Sequence, residues 1–372
     1  MSDLDFDEPS SDARGSTRGA GCLVSLVLIV LLTAAGVFAY NSGVDLIKQA
    51  LSDPPEKNCS VARSQRAMIV KVNEGATSAD IGTVLCNRGI IPDYSDFIRA
   101  AVADTRALSI QPGSYRLRAN MEPEQALEVL VDPGSKLLIP ITIPEGYRVK
   151  EALKAIAAKS KFTPAQVDKA YQTVSATKLP PYAKGDGEGY LFPSTYNLEP
   201  GMTAVDLIGQ MVSQFKAFAD DAGLEAAAHQ LGQSQGDLVT IASLVQAEAR
   251  RTQDMPKVAA VIYNRLDAGM PLQLDSTLHY VEESRGEVFT TNKLRNIDSP
   301  YNSYKRTGLP PTPIDSPGVD ALDAALNPAD ASYLYFVTVN LATGETNFAT
   351  SYDDHLHNVA LYEEYCLTSD EC

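Results

Sequence analysis

The hydrophobic pattern changes character several times along the chain. Residues 21–40 read GCLVSLVLIVLLTAAGVFAY and contain no charged side chain. About 20 apolar residues at 1.5 Å rise match the ~30 Å hydrocarbon core of a bilayer, so the run predicts a transmembrane helix over 20–41. A cleaved signal peptide is the competing reading. Its apolar core is usually only about 7–15 residues and ends at a small-residue cleavage site, which VFAYNS supplies poorly. Residues 67–72, AMIVKV, alternate and are β-rich, which predicts a strand. Thr77 or Ser78 caps a helix running to Leu85, Asp93 or Ser95 starts a second over 97–103, and 113–117 form another strand. MEPEQALEVLV, with Pro123 near its start, reads as a third helix. From Lys136 a strand is expected up to Ile143, followed by a Pro144-Glu145-Gly146 turn into a helix. Long helical periods fill the middle of the chain. SYLYFVTV (332–339) and TNFAT (346–350) flank Gly344 as a hairpin.

These elements predict an α+β fold with a single N-terminal transmembrane helix, a small β-α-α-β subdomain and a larger α+β domain. The expected divisions are a cytoplasmic tail 1–19, the span 20–41, a linker 42–64, the small subdomain 65–135, the larger domain 136–366 (catalytic, if the resemblance given below holds) and a tail 367–372. The β-α-α-β order resembles a LysM module, a fold that holds amino-sugar polymers; a plain spacer domain is the alternative. Arg14 and Arg18 precede the span and only Lys48 follows closely. The positive-inside rule then places the N-terminus in the cytoplasm and the rest outside, at the cell membrane. Cys22 falls in the span. Cys59, Cys86, Cys366 and Cys372 would lie in an oxidising space as an even set. The local pairings Cys59–Cys86 and Cys366–Cys372 are favoured over a bond between the two ends.

Composition narrows the function. Hydrophobic residues make up 44% and charged residues 21%, an ordinary globular balance. Lys and Arg number 31 against 47 Asp and Glu, for a net charge of −16. A nucleic-acid partner is not expected, because phosphate binding needs a basic stripe. No CxxC, HExxH, GxSxG, P-loop or GxGxxG motif is present, and no metal or cofactor is expected.

The informative stretch is DLVTIASLVQAEAR, 237–250. Leu238, Ile241, Leu244 and Val245 recur at helical spacing, and continuing that stripe reaches Glu248. A carboxyl on the buried face of a helix raises its pKa rather than ionise unpaired. A carboxylic acid still protonated near neutral pH suits general-acid cleavage of a glycoside. The alternatives are a salt bridge, with Arg265 as partner, or an edge position facing solvent. The next helical run, from Lys257, carries Asn264 and Arg265 and ends at Gly269. Gln273, Asp275, Ser276 and Thr277 are expected in an extended segment between Leu272 and Leu278, forming a cleft floor suited to sugar hydroxyls and acetamides. EGYLFPSTYNL offers Glu188 with Tyr190, Phe192 and Tyr196. SPYNSYKRTGLPPTPIDSPG offers Tyr301, Asn302, Tyr304 and Thr307.

In order, EGYLFPSTY, IASLVQAEAR, KVAAVIYNRLDAGMPLQLDSTLHY, SPYNSYKRTGLPPTPIDSPG and ALNPADASYLYFV with NFATSYDDHLHNV resemble the membrane-anchored endolytic murein transglycosylases, the YceG-like family. The resemblance covers roughly 65–366. It implies that Glu248 is the catalytic acid, aligning with the second Glu of the family's ASIIEKEA segment. The first Glu of that segment is Gln246 here, a departure. Glu188, Asn264, Arg265, Gln273, Asp275, Thr277, Tyr301 and Asn302 become candidate substrate-binding residues. The implied reaction cleaves the β-1,4 bond between N-acetylmuramic acid and N-acetylglucosamine without water and leaves 1,6-anhydro ends. The implied partners are nascent peptidoglycan strands and, beside them, peptidoglycan synthases. A non-catalytic peptidoglycan-binding scaffold and a hydrolysing muramidase are the competing classes.

Overall fold

A computed structural model describes Cys59, residues 66–284 and residues 291–372. The expected tail, span and nearly all of the linker lie outside the described residues. Among those described, no helix is long and apolar enough to cross a membrane. The chain divides into two units, with Lys136 closing the first and Leu137 opening the second.

The first unit runs β1 (Ala67–Val72), α1 (Ser78–Asn87), α2 (Tyr94–Ala103), β2 (Gly113–Arg118) and α3 (Pro123–Val131). α1 begins at a capping box, in which Thr77 receives the Asp80 amide and Asp80 answers to the Thr77 amide. Asp93 caps α2 by accepting the Ser95 and Asp96 amides. β1 and β2 pair antiparallel with Val70 opposite Tyr115. Their alternation buries Val70, Val72, Tyr115 and Leu117 against Leu85, Phe97, Leu127 and Leu130. Cys59 and Cys86 form a disulfide that pins the incoming chain to α1.

The second unit contains β3 (Ile139–Ile143), α4 (Val149–Lys159), α5 (Pro164–Thr177), β4 (Ser194–Leu198), α6 (Ala204–Asp221), α7 (Leu224–Leu231), α8 (Gln235–Glu248), α9 (Met255–Asp267), α10 (Asp275–Val281), α11 (Asn292–Arg295), α12 (Val319–Leu326), β5 (Tyr335–Asn340), β6 (Glu345–Ala349) and α13 (Tyr352–Thr368). Each of its two sheets is a two-stranded antiparallel ribbon, β3–β4 and β5–β6. One core gathers Ile141, Ile143, Ile156, Leu207 and Met211 around the β3–β4 ribbon. The other centres on α8, with Tyr190, Phe215, Ile262 and the alanines of α12 around it. Small side chains on α12 (Ala321, Ala324, Ala325) face Ala242 and its neighbours in this core, so the helices approach closely. Cys366 and Cys372 close a second local disulfide.

Two expectations are corrected. The segment after Leu272 is not extended: Gln273 takes a left-handed backbone (φ 51°) and the chain turns directly into α10 at Asp275. A single residue at positive φ redirects the chain as a turn does, and the polar run supplies the first turn of a helix. α8 is also more deeply set than one apolar stripe implies. Every residue from Leu238 to Val245 is buried, including Thr240 and Ser243. Those hydroxyls are satisfied on their own helix, by the Gly236 and Thr240 carbonyls.

Candidate active site

α8 starts at the Ser234–Asp237 capping box and runs through the core to Glu248, its last residue. The helix therefore delivers a carboxyl from the interior to the wall of a cleft of about 450 Å³. Asp275, Ser276 and His279 of α10 line the same cleft, together with Phe336 and Thr338 of β5. Glu248 as a residue is partly exposed at the cleft mouth, but its carboxyl is desolvated by the surrounding wall. That desolvation is the main cause of a raised pKa, and the nearby Asp275 charge adds to it. The Ser276 side chain and amide, and the Arg265 charge, act in the opposite direction without reversing it. The Ser276 amide donates to Glu248 Oε1 at 3.4 Å. The helix C-terminus is itself a negative pole and disfavours a carboxylate there.

Asp275 is oriented by Tyr304, whose hydroxyl donates to Oδ1 at 2.5 Å. The Arg295 guanidinium lies over the Tyr304 ring, 5.1 Å from its centroid. A second recess of about 290 Å³ shares Ala247, Ser276 and His279 with the first and adds Arg148, Gln246 and Asp315. Gln246 Oε1 accepts the Gly318 amide at 2.8 Å, anchoring the entry into α12. A third recess of about 580 Å³ shares Arg148 with the second and contains Glu188, Tyr280 and Tyr301. The lining residues held in common place the three recesses side by side, from Glu248 past Arg148 to Glu188 and Tyr301.

The remaining candidates divide by where their polar groups point. Glu188 is 6% exposed. Its Oε1 accepts the Val149 amide at 2.9 Å and its Oε2 the Tyr280 hydroxyl at 3.4 Å. Burial pushes its pKa up to about 7. Tyr301 bonds to the Thr312 hydroxyl at 2.7 Å and lies 5.0 Å from the Tyr280 ring. Gln273 is exposed outside the groove's lining, and its amide donates to the Ser303 carbonyl. Four candidates turn inward. Asn264 clasps the Ala331 and Tyr333 carbonyls. Arg265 donates Nε to the Leu334 carbonyl at 2.7 Å and Nη1 to the Leu272 carbonyl at 2.5 Å. Thr277 bonds to the Leu274 carbonyl and the Ser303 hydroxyl. Asn302 bonds to the Arg295 and Ile297 carbonyls. These four shape the walls that carry Glu248 and Asp275.

Arg148 and His279 line these recesses without having been candidates, and Tyr304 bears on them through its bond to Asp275. Arg148 caps α4 far upstream, and its Nη2 donates to the His279 and Ser284 carbonyls. No spacing in the chain relates residue 148 to residue 279. Tyr304 stood in an aromatic-rich loop, but only its partner Asp275 distinguishes it from Tyr301. Among the described residues, no group of three or more His, Cys, Asp and Glu side chains is placed to hold a metal ion.

The YceG-like family profile matches residues 70–361. A protein of Streptococcus pneumoniae named endolytic murein transglycosylase is 31% identical over 371 residues, taking in 90% of this chain and 64% of its own. The chain thus spans a little under two thirds of the length of that relative. A Bacillus subtilis protein of the same name is 30% identical over 328 residues, covering 84% of this chain and 88% of its own. The crystal structure of a yceG-like protein from Listeria monocytogenes superposes with a TM-score of 0.54 at 28% identity, over 79% of this chain and 99% of that one.

Proposed function

The chain belongs to the YceG-like family, and from that premise we propose that it is a membrane-anchored endolytic murein transglycosylase with Glu248 as its acid and base. The observation that carries this reading is the desolvated Glu248 carboxyl, held with a raised pKa in the wall of a groove. In the proposed reaction, protonated Glu248 donates to the glycosidic oxygen between N-acetylmuramic acid and N-acetylglucosamine. The bond from the muramyl C1 to that oxygen breaks, and positive charge develops at C1. The Glu248 carboxylate then takes the proton of the muramyl C6 hydroxyl as that oxygen bonds to C1. A 1,6-anhydro ring closes, no water is consumed, and Glu248 ends protonated as it began. One residue serves both steps, so the second catalytic carboxylate of a hydrolase is not required. Asp275, aimed by Tyr304, would face the developing charge. The groove past Arg148 toward Tyr280 and Tyr301 would hold the strand on one side of the cut, as cleavage within a chain needs.

Gln246 stands where the resemblance expects a glutamate. Its carbonyl oxygen performs the anchoring of the Gly318 amide, a task a carboxylate oxygen performs equally. The substitution therefore supports no loss of geometry around Glu248. The uncharged run 21–40 supports a single-pass anchor with the catalytic unit outside the cytoplasm. Such an anchor would confine cleavage to nascent strands near the membrane, beside the synthases, and set their length. A LysM-like role for the first unit, holding amino-sugar polymer, is part of the same proposal and is supported by its β-α-α-β order.

Incubating the purified full chain with peptidoglycan in ¹⁸O-labelled water tests the reaction. Mass spectrometry is expected to find new anhydro-muramyl ends without label. Labelled reducing ends would make it a muramidase instead, and no new ends would leave a binding scaffold. General acid–base action contributes ~10²–10⁴-fold, so Glu248→Gln is expected to lose activity by at least that range while keeping its circular dichroism spectrum.

A further inference from the structure

The first unit distributes its charge unevenly although the whole chain is strongly acidic. β1 and β2 place Ala67, Ile69 and Lys71 opposite Arg118, Arg116 and Ser114 on one face of the ribbon. Strand alternation turns the apolar partners Val70, Val72, Tyr115 and Leu117 to the other face, into the core. Lys71, Arg116 and Arg118 are exposed on the outer face, and Arg66 is exposed just ahead of it. Arg88 reaches the β1 edge, where Nη1 donates to the Ile69 carbonyl at 2.6 Å. Ile69 stands among these cations 44% exposed. No ion pair among the described residues involves Arg66, Lys71, Arg116 or Arg118.

Most of the described acids of this unit are engaged elsewhere, and Glu122 and Glu124 lie exposed at the start of α3. Asp80 and Asp93 cap helices, Asp96 pairs with Arg99, and Asp104 and Glu128 share Arg106. Glu74 sits in the turn beyond β1, off the ribbon. The result is a two-stranded face with cations around the exposed Ile69 side chain. Uncharged sugar is recognised by aromatic faces and hydrogen-bonding recesses; this face offers no aromatic ring, and its one hydroxyl, Ser114, is buried. Arginine forks and lysine match phosphate, and an aliphatic side chain between them suits a headgroup boundary.

We infer that the outer face of the β1–β2 ribbon docks on an anionic lipid surface through headgroup phosphates. The chain's own reach favours lipid over a more distant polyanion. Cys59 is fastened to Cys86, so only residues 41–58 separate the first unit from the apolar run 21–40. Eighteen residues span at most ~60 Å even when fully extended. If that run is the anchor proposed above, the face is confined close to the bilayer, where each basic side chain adds attraction.

The test uses the full chain in phosphatidylcholine vesicles, with and without about one-third phosphatidylglycerol. Hydrogen exchange is read at 66–72 and 113–118. Exchange is expected to slow about tenfold only with the anionic lipid, and the slowing is expected to vanish in about 0.5 M salt and in Arg116→Glu/Arg118→Glu. A second variant, Lys71→Gln/Arg118→Gln, gives the same readout should the first alter exchange without anionic lipid. Equal exchange in both vesicles would overturn the inference. So would slowing by soluble polyphosphate over phosphatidylcholine without any slowing by phosphatidylglycerol. The lipid readout does not depend on turnover, so it stands or falls separately from the transglycosylase reading.

Discussion

Glu248 and Glu188 are both carboxyls that resist ionisation, and the consequence for each is measurable. The raised pKa of Glu248 means that the folded chain holds its proton after the unfolded chain has released it. Between the usual carboxylate value and the raised one, the folded state binds more protons, so stability falls as pH rises through that window. Glu248→Gln is therefore expected to be more stable than the parent at pH 8 and no more stable at pH 4, read by thermal melts at both. The Asp275 charge contributes to the shift. Asp275→Asn should move the alkaline limb of the pH–rate profile to lower pH, whatever it does to the maximum rate. Glu188 provides a sharper number. Its displacement from 4.5 to about 7 corresponds to ~3 kcal/mol. That penalty is absent below pH 4.5 and complete above pH 7. Glu188→Gln keeps an acceptor for the Val149 amide, so at pH 8 it should gain a stability of that order in denaturant unfolding, and almost none at pH 4.5.

At the scale of elements, α9 ties the start of α10 and the β5–β6 hairpin into one wall. Arg265 does this with two short bonds, to the Leu334 carbonyl ahead of β5 and to the Leu272 carbonyl ahead of α10. Removing a charged donor from buried carbonyls costs about 2–4 kcal/mol. Arg265→Ala should lose stability in that range, and Arg265→Lys should recover little, because an ammonium lacks the planar fork that reaches both carbonyls. Elements whose signals are local were legible in the chain. β1 occupies Ala67–Val72 and α1 starts beside Thr77, as alternation and capping chemistry predict. β4, inside the aromatic segment after Glu188, was not foreseen, because its partner β3 lies more than fifty residues upstream, with Ile141 opposite Tyr196. The start of α10 was also misjudged. Gln273 in the left-handed region re-aims the backbone, and nothing in its side chain announces that.

At the scale of the whole molecule, each unit closes its own core, one around β1–β2 and the others in the second unit. The Cys59–Cys86 bond lies wholly in the first, with a separation of 27 residues. A loop of that size contributes ~3.5 kcal/mol by restricting the unfolded chain. Cys59→Ser/Cys86→Ser should lower the unfolding midpoint of the first unit while leaving that of the second unchanged, a difference that hydrogen exchange resolves unit by unit. The amino-acid sequence by itself determined the mixed α and β class, most element positions and the placing of Glu248 at the end of an apolar helix. Those follow from periodicity and capping, which act over a few residues. Only the tertiary structure decided that Arg148 and His279 border the groove of Glu248, that Tyr304 aims Asp275, and that Thr277 and Asn302 spend their polar groups inside the wall. Each of those depends on which distant segment arrives opposite a side chain. That is settled by filling the core and satisfying buried hydrogen bonds, and no local pattern records it.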